Sequence, residues 1–399
     1  MPSPSIDFWF DYTCPYAYLG STQVEALALR TGRALAWKPM LLGGVFKANA
    51  TPQRLFETLS PPKAAHNAND LARQAERYGV ALRMPSGHPF RSVEALRATL
   101  ATGCDPRVIH GFFRAYWVEG RPISEVDVMR DVLNAAGHDA DAVLSRIGDE
   151  GIKNELRART DEAIALGVFG APAYLVDGVD LYWGQDRAEL FDVPSQKGDF
   201  AAAPKGRTLE VYWDFASPYA YLGSVQAEAL ARRTGATLVW RPVLLGAVFK
   251  ALGQANVPLA TYPEAKQRHT GLDLERWARH LGAPFRFPSR FPMSTVKALR
   301  AWIALPEGAR DAFRARVFRA YWAEDRDISD DAVLAELLGP DARDTLDQIA
   351  TSEVKQRLVE ATQRALDAGV FGVPTWVVDG RELFWGQDRV ALVERALTR

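Results

Sequence analysis

The clearest hydrophobic pattern stands near the middle of the chain, where the apolar run 209–213 leads into the segment 214–223. A short apolar run that ends at polar turn residues predicts a strand. Ser217 followed by proline predicts the start of a helix, because serine caps helix N-termini and proline suits the first helical position. A near copy of this segment begins at Asp11 and carries Cys14 where the later copy carries Ser217. Each half of the chain is therefore predicted to turn from a strand into a helix.

The same patterns predict the remaining elements of each copy. Alternation and turn residues in the first copy predict strands at 6–10 and 34–37 around a helix at 15–31, which is a parallel βαβ unit. Apolar residues at spacings of three and four predict a helical insertion over about 44–166, with its counterpart over about 247–368. The pair Asp379-Gly380 predicts a hairpin between 375–378 and 382–385, followed by a helix over 387–397.

Repeated segments indicate that the chain is a tandem duplication. Asp11 and Asp214 are 203 residues apart (214 − 11), and the same offset aligns Trp37 with Trp240. We expect a first domain over 1–192, a linker over 193–207 and a second domain over 208–399. The predicted fold class is α/β, with two thioredoxin-like domains that each hold a helical insertion between the βαβ and ββα units.

Composition and charge exclude several classes of function. The 399 residues carry a net charge of −1, so nucleic acid is not an expected partner. No apolar run approaches the roughly 20 residues that span a bilayer, and the N-terminal residues do not resemble a signal peptide, so we expect a cytoplasmic protein without a membrane partner. The two cysteines, Cys14 and Cys104, form no Cys-x-x-Cys pair, and the histidines show no metal-ligand spacing. We therefore expect no metal.

Three repeated features are candidates for chemistry. The first is the helix-start position, Cys14 or Ser217, where helix N–H groups favour a thiolate; for serine, capping alone is the alternative explanation. The second is the X-Pro bond Ala171-Pro172 or Val373-Pro374. A cis bond there would leave the backbone of the residue before proline free for an extended, peptide-like ligand, whereas a trans proline would merely open a strand. The third is the Gly-Gln-Asp-Arg motif, 184–187 and 386–389, whose aspartate the helix dipole alone would also favour.

These features together resemble 2-hydroxychromene-2-carboxylate isomerases and the kappa-class glutathione transferases, within the DsbA-like thioredoxin superfamily. The resemblance covers each half nearly end to end, and it implies glutathione as the cofactor. It implies that Ser217 hydrogen-bonds the glutathione sulfur, that the backbone beside Pro374 pairs with the cysteinyl backbone, and that Asp388 holds the γ-glutamyl amine. The corresponding sets are Ser217, Val373, Pro374, Gln387 and Asp388 in the second half, and Cys14, Ala171, Pro172 and Asp186 in the first.

The resemblance further implies that the glutathione thiolate adds to an unsaturated or electrophilic, aromatic-derived small molecule, after which bond rotation and loss of the thiol complete an isomerisation. It also implies an intramolecular pseudo-dimer, because the family is commonly dimeric. Two alternatives stay open. Cys14 has no resolving cysteine, since Ala17 occupies that place, so one alternative is a monothiol oxidoreductase. The other is a thiol-binding protein without catalysis.

A further set of repeated residues lies on the helical insertion. Lys63, His66 and Asp70 recur in register as Lys266, His269 and Asp273. Charged groups on a helix face usually contact solvent, so a ligand role is the less favoured explanation. The copies differ most at Gly87-His88 against Arg290-Phe291, within the region that would shape the substrate pocket. Cys104 is expected to be a buried or incidental thiol.

Overall fold

The structure is a computed structural model that describes residues 4–192, 204 and 206–399. Most of the predicted linker, 193–207, therefore lies outside the described residues. In the first copy the elements are β1 (Ser5–Phe10), α1 (Pro15–Thr31), β2 (Ala34–Pro39), α2 (Leu42–Ala48), α3 (Pro61–Tyr78), α4 (Val93–Ala101), α5 (Pro106–Trp117), α6 (Val126–Ala135), α7 (Ala140–Arg146), α8 (Glu150–Ala165), β3 (Ala173–Val176) and β4 (Asp180–Trp183).

The second copy repeats this order. Its elements are β5 (Thr208–Trp213), α9 (Pro218–Thr234), β6 (Thr237–Pro242), α10 (Leu245–Ala251), α11 (Glu264–His280), α12 (Val296–Ala304), α13 (Glu307–Trp322), α14 (Asp331–Leu338), α15 (Ala342–Ile349), α16 (Ser352–Asp367), β7 (Thr375–Val378), β8 (Glu382–Trp385) and α17 (Val390–Thr398).

Each copy builds one four-stranded mixed sheet. The strand order is β2-β1-β3-β4 in the first copy and β6-β5-β7-β8 in the second. The first two strands of each copy pair in parallel across the βαβ unit, and the remaining pairs are antiparallel. The predicted α/β fold class, with a helical insertion between the βαβ and ββα units, is confirmed.

The predicted hairpin is also confirmed. Asp379 and Gly380 have φ angles of 51° and 66°, and Asp177 and Gly178 have 55° and 71° in the first copy. Positive φ at both central residues is the conformation that tight hairpins require, which is why an Asp-Gly pair predicts them. The predicted closing helix over 387–397 is present in the second copy as a 3₁₀ turn at Gln387–Arg389 that leads into α17. In the first copy, the described residues up to Asp192 contain the 3₁₀ helix Gln185–Leu190 at this place.

The chain forms two compact units whose bounds differ from the predicted domains at two short segments. Unit 1 contains Met1–Leu59, Asn67–Ser195 and Pro263–Thr270, and unit 2 contains Ser60–His66, Gln196–Tyr262 and Gly271–Arg399. Unit 2 thus includes the first turns of α3, because Lys63 and His66 pack against Trp385. Within the described residues, no helix is long and apolar enough to cross a membrane.

A buried aspartate holds the turn between strand and helix in each unit. In unit 2, Asp214 is 1% exposed, and its carboxylate accepts hydrogen bonds from the backbone N–H of Ala216 (3.0 Å) and of Leu245 (2.7 Å). Asp11 does the same in unit 1 for Thr13 and Leu42. The carboxylate ties the turn to the start of the next helix. Burial raises the pKa of Asp214, and the backbone N–H groups lower it by less.

We expect Asp214→Asn to lower the free energy of unfolding by about 1–3 kcal/mol, because an amide accepts at one oxygen only and leaves one buried N–H unpaired. A raised pKa means that the native state favours the protonated carboxyl. The stabilisation of the native state by this protonated carboxyl is fully present below the ordinary pKa of 3.8, and it is lost as the pH rises through the native-state pKa. The difference in unfolding free energy between wild type and variant, measured in urea titrations, therefore narrows as the pH rises above 3.8.

The matched control is the exposed Asp347→Asn on α15, which we expect to change stability by less than about 0.5 kcal/mol. Equal stability of wild type and Asp214→Asn at every pH would contradict a structural role for the buried carboxylate.

Candidate active site

The helix-start serine of the second half is a cap that also contacts the X-Pro bond. Ser217 Oγ accepts a hydrogen bond from the Ala220 N–H at 3.1 Å, so the residue caps α9 as predicted. The same hydroxyl donates to the Val373 carbonyl at 3.1 Å. The serine is 6% exposed. The first two predicted features are therefore in direct contact in unit 2.

Cys14 occupies the same place in unit 1, where its burial opposes the predicted thiolate. Its thiol donates to the Ala171 carbonyl at 3.1 Å, and its side chain makes no capping bond. Burial raises the Cys14 pKa to about 12, although the N–H groups of Tyr16 and Ala17 lower it. The raised pKa argues against the predicted thiolate, because the loss of water outweighs the effect of the helix N-terminus.

Both predicted X-Pro bonds, Ala171-Pro172 and Val373-Pro374, are cis. The expectation that the whole backbone of the preceding residue is free needs a correction, because the carbonyl accepts from the serine or thiol. The N–H groups of Ala171 and Val373, in contrast, make no hydrogen bond within the described part of the chain. Each is a donor available to an extended ligand.

The Gly-Gln-Asp-Arg motif lies against the cis-proline. The Gly386 N–H donates to the Pro374 carbonyl at 3.0 Å, and Gly184 does the same to Pro172. Gly386 has φ 116°, and a Cβ atom at this position would collide with the Asp388 carboxylate, so only glycine fits. The Gln226 side chain of α9 donates to the Gln387 carbonyl at 2.9 Å. Helix start, cis-proline and motif are thus joined by hydrogen bonds.

The aspartate of the motif is buried and paired with the arginine that follows it. Asp388 and Arg389 form an ion pair of 3.1 Å, and their side chains are 10% and 13% exposed. Asp186 and Arg187 repeat the pair at 2.8 Å. Sequence reasoning assigned no role to these arginines, although they stand in the repeated motif. Each motif therefore presents a carboxylate and a guanidinium next to one another.

The glutamine of the motif has an unsatisfied side chain in both copies. Gln387 and Gln185 are 3% and 5% exposed, and the Nε2 atom of each has no hydrogen-bond partner in the described chain. A buried amide N–H without an acceptor costs free energy, so such an atom is typical of a place that a ligand completes. This observation fits the predicted role of Gln387 in holding a polar cofactor.

A lysine and a histidine of the helical insertion contact the tryptophan that precedes each motif, although the sequence analysis disfavoured a ligand role for them. In unit 2, the ammonium of Lys63 lies 5.2 Å from the Trp385 ring centroid, and burial lowers its pKa. His66 Nε2 accepts from the Trp385 N–H at 3.0 Å. In unit 1, Lys266 lies 5.6 Å from the ring of Trp183, against which His269 also packs. The lysine lies beside the tryptophan that precedes each motif.

Cys104 lines a cavity whose lining does not include the helix-start cysteine. Cys104 is half-buried. The cavity is open, has a volume of about 780 Å³ and is also lined by Glu25, Leu29, Trp37 and Arg159. Both cysteines are free thiols. Among the residues that the structure describes, no group of His, Cys, Asp and Glu side chains is arranged to hold a metal ion.

Comparison with known proteins identifies the family. The model of the DsbA-like thioredoxin domain matches twice, over residues 5–193 and 208–398. The 2-hydroxychromene-2-carboxylate isomerase of Sphingobium xenophagum is 33% identical over 195 residues, which cover 48% of this chain and 98% of that protein. Human glutathione S-transferase kappa 1 is 32% identical over 215 residues, 49% of this chain and 92% of that protein. A solved 2-hydroxychromene-2-carboxylate isomerase structure is 28% identical, with a TM-score of 0.43, over 47% of this chain and 93% of that chain.

The chain is a tandem pair of DsbA-like thioredoxin domains, and it belongs to the family that contains the 2-hydroxychromene-2-carboxylate isomerases and the kappa-class glutathione transferases. Its relatives in that family are enzymes, and this chain is an enzyme too.

Because its pKa is raised to about 12, we expect Cys14 to react slowly with iodoacetamide at about pH 8 and progressively faster as the pH increases. Peptide mapping by mass spectrometry after timed alkylation measures this. The Cys104→Ser variant, in which only Cys14 can be labelled, is the control. Rapid labelling of Cys14 at neutral pH would show a thiolate and would move the monothiol oxidoreductase to first place.

Proposed function

We propose that this enzyme is a glutathione-dependent isomerase of the 2-hydroxychromene-2-carboxylate isomerase type, or a closely related glutathione transferase. The observation that carries the proposal is the hydrogen-bonded junction in unit 2: Ser217 contacts the Val373 carbonyl, and Gly386 contacts Pro374. The junction sets a helix N-terminus, a backbone donor and a buried carboxylate side by side. We take the activity from the named functions of the relatives, and the residues of the junction are compatible with it.

Each part of the junction matches one part of a tripeptide thiol. The unpaired Val373 N–H suits a backbone carbonyl of the ligand, as in an added strand. The Asp388 carboxylate suits an ammonium group, and Arg389 and Lys63 suit carboxylates. The unsatisfied Nε2 of Gln387 is a further donor. These residues would hold glutathione in an extended conformation.

Glutathione would supply a thiolate nucleophile, and the chain's residues would favour its ionised form. A free thiol of this kind is mostly protonated at pH 7. Ser217 can turn its single proton from the Val373 carbonyl toward a sulfur atom, since its oxygen stays bonded to the Ala220 N–H. The N-terminus of α9 adds positive potential at the same point. The serine itself is not the nucleophile, because no general base contacts its hydroxyl in the described structure.

We expect Asp388→Asn to weaken glutathione binding at least tenfold, because a charge-assisted hydrogen bond to the γ-glutamyl amine is lost. We expect Ser217→Ala to lower turnover about tenfold or more, since the thiolate loses a donor. Calorimetric titration with glutathione, and assays of 2-hydroxychromene-2-carboxylate isomerisation with and without glutathione, measure the two effects.

Ser217→Ala also removes a helix cap, at a cost of about 1 kcal/mol in stability. Thr351→Ala removes the cap of α16, where Thr351 accepts from the Val354 N–H, and is therefore the matched control. It should leave binding and turnover unchanged. Absence of glutathione binding to the wild type would refute the proposed function.

We further expect Lys63→Met to weaken glutathione binding several-fold, because an ammonium group beside Trp385 is removed and a chain of similar length is kept. Lys266→Met should have the same effect on the first site. The exposed Lys297→Met, which removes only an ion pair with Asp331, is the control. Unchanged affinity in both Lys63→Met and Lys266→Met would exclude these lysines from the ligand sites.

A further inference from the structure

An aromatic cluster lies beside the strand-to-helix turn of unit 2. The indole N–H of Trp322 donates to the Phe215 carbonyl at 2.8 Å, two residues before Ser217. Three phenylalanine rings surround Trp322: the ring centroids of Phe285, Phe287 and Phe291 lie 6.2, 6.0 and 6.0 Å from it. Phe287 is 40% exposed, and the other two are partly exposed. Clustered, partly exposed rings are typical of a surface that binds an apolar ligand.

The corresponding place in unit 1 has no phenylalanine at these three positions, and one of them carries a polar side chain. The Trp117 N–H donates to the Tyr12 carbonyl at 2.8 Å, two residues before Cys14, so the tryptophan is in the equivalent position. The offset of 203 residues places Leu82, Met84 and His88 where the second copy has its three phenylalanines. The His88 ring centroid lies 5.3 Å from that of Trp117. An imidazole therefore replaces one wall of the aromatic cluster.

The hydrogen bonds around His88 indicate which of its ring nitrogens carries the hydrogen. His88 Nδ1 lies 2.8 Å from the Tyr116 hydroxyl, whose oxygen also accepts the Phe90 N–H at 2.9 Å. Burial raises the pKa of Tyr116 and lowers that of His88, so the tyrosine keeps its proton and the imidazole is neutral. Nδ1 is the one acceptor that the described chain offers the tyrosine proton, so we assign the tautomer in which the tyrosine donates to Nδ1 and Nε2 carries the imidazole hydrogen. Within the described chain, Nε2 meets no acceptor and is a donor available to a ligand.

The second copy lacks this arrangement. Phe291 stands in the place of His88, and the hydroxyl of Tyr321, which corresponds to Tyr116, is buried without an acceptor for its proton. The copies thus differ in polarity at one equivalent position, which packs on the tryptophan that is bonded to the strand-to-helix turn.

We propose that the two sites bind different substrates. The first takes a compound with a carboxylate that accepts from His88 Nε2, and the second takes an uncharged aryl compound that packs on Phe287 and Phe291, which rest on the buried Trp322. The inference rests on the proposed function and names the substrate class of each site. His88 acts here as a specificity-determining residue.

The test uses unreactive probes, so it is independent of turnover. The probes are two ketones that each carry one phenyl ring and no reactive double bond: 3-benzoylpropionate has a carboxylate, and 4-phenyl-2-butanone is uncharged. Both are titrated calorimetrically into the full chain at saturating glutathione. We expect His88→Phe to weaken 3-benzoylpropionate binding about tenfold and to leave or improve 4-phenyl-2-butanone binding, because a hydrogen bond to a charged group is lost. We expect Phe291→His to have the opposite effect on the ratio of the two Kd values.

His88→Gln keeps an N–H donor and should restore part of the lost affinity, which a purely structural role for His88 would not predict. Urea midpoints of all variants check that they are folded. Equal Kd ratios in wild type, His88→Phe and Phe291→His, or no binding of either probe to the wild type, would overturn the inference. Glutathione binding is measured in the same titrations, so a failure of the proposed function, seen as no glutathione binding, is distinguishable from a failure of substrate selectivity alone.

Discussion

A buried carboxylate at the end of the first strand of each unit is the constraint on which the other features depend. Asp214 joins the turn before α9 to the start of α10 through two backbone N–H groups, and it is almost inaccessible to water. Burial of this carboxylate costs free energy, and the same loss of water raises its pKa. Because the turn is held in this way, Ser217 stays within hydrogen-bond distance of the Val373 carbonyl. A loose turn would leave the helix N-terminus and the cis-proline unrelated.

Both copies have this buried aspartate and strand-to-helix turn, but they differ in the residue at the start of the helix. A serine hydroxyl both donates and accepts, so Ser217 caps its helix and still contacts the cis-proline carbonyl. A buried thiol is a weaker donor and a poor cap, and Cys14 accordingly makes only the bond to Ala171. A lone cysteine at a helix N-terminus suggests redox chemistry, but accessibility to water decides whether the thiolate forms. Here burial prevails over the helix dipole, which favours the isomerase proposal over the monothiol alternative.

Residues from the helical insertions contact the site region of each unit. Lys63 and Lys266 stand beside the tryptophans that precede the Gly-Gln-Asp-Arg motifs, although Lys63 is 322 residues from Trp385 (385 − 63) and Lys266 is 83 residues from Trp183 (266 − 183) in the chain. In unit 2 the insertion also supplies rings around Trp322, whereas in unit 1 it supplies an imidazole. The thioredoxin core therefore provides the common thiol-binding elements, and the insertion is where the copies diverge.

The sequence by itself determined the duplication, the order of elements and the three motifs, because these depend on local patterns. Proline after a capping residue, an Asp-Gly pair between apolar runs and residues repeated in register all act over a few positions. The bounds of the helix at 15–31 and of the hairpin strands agree with the structure for this reason. Tertiary structure decided everything that depends on distant groups. The raised pKa of Cys14, the shared bond at the Val373 carbonyl, the unpaired Nε2 of Gln387 and the place of Lys63 all arise from burial and from contacts between segments far apart in the chain. A linear sequence carries no direct record of water exclusion, and that is the quantity on which the chemistry of these residues depends.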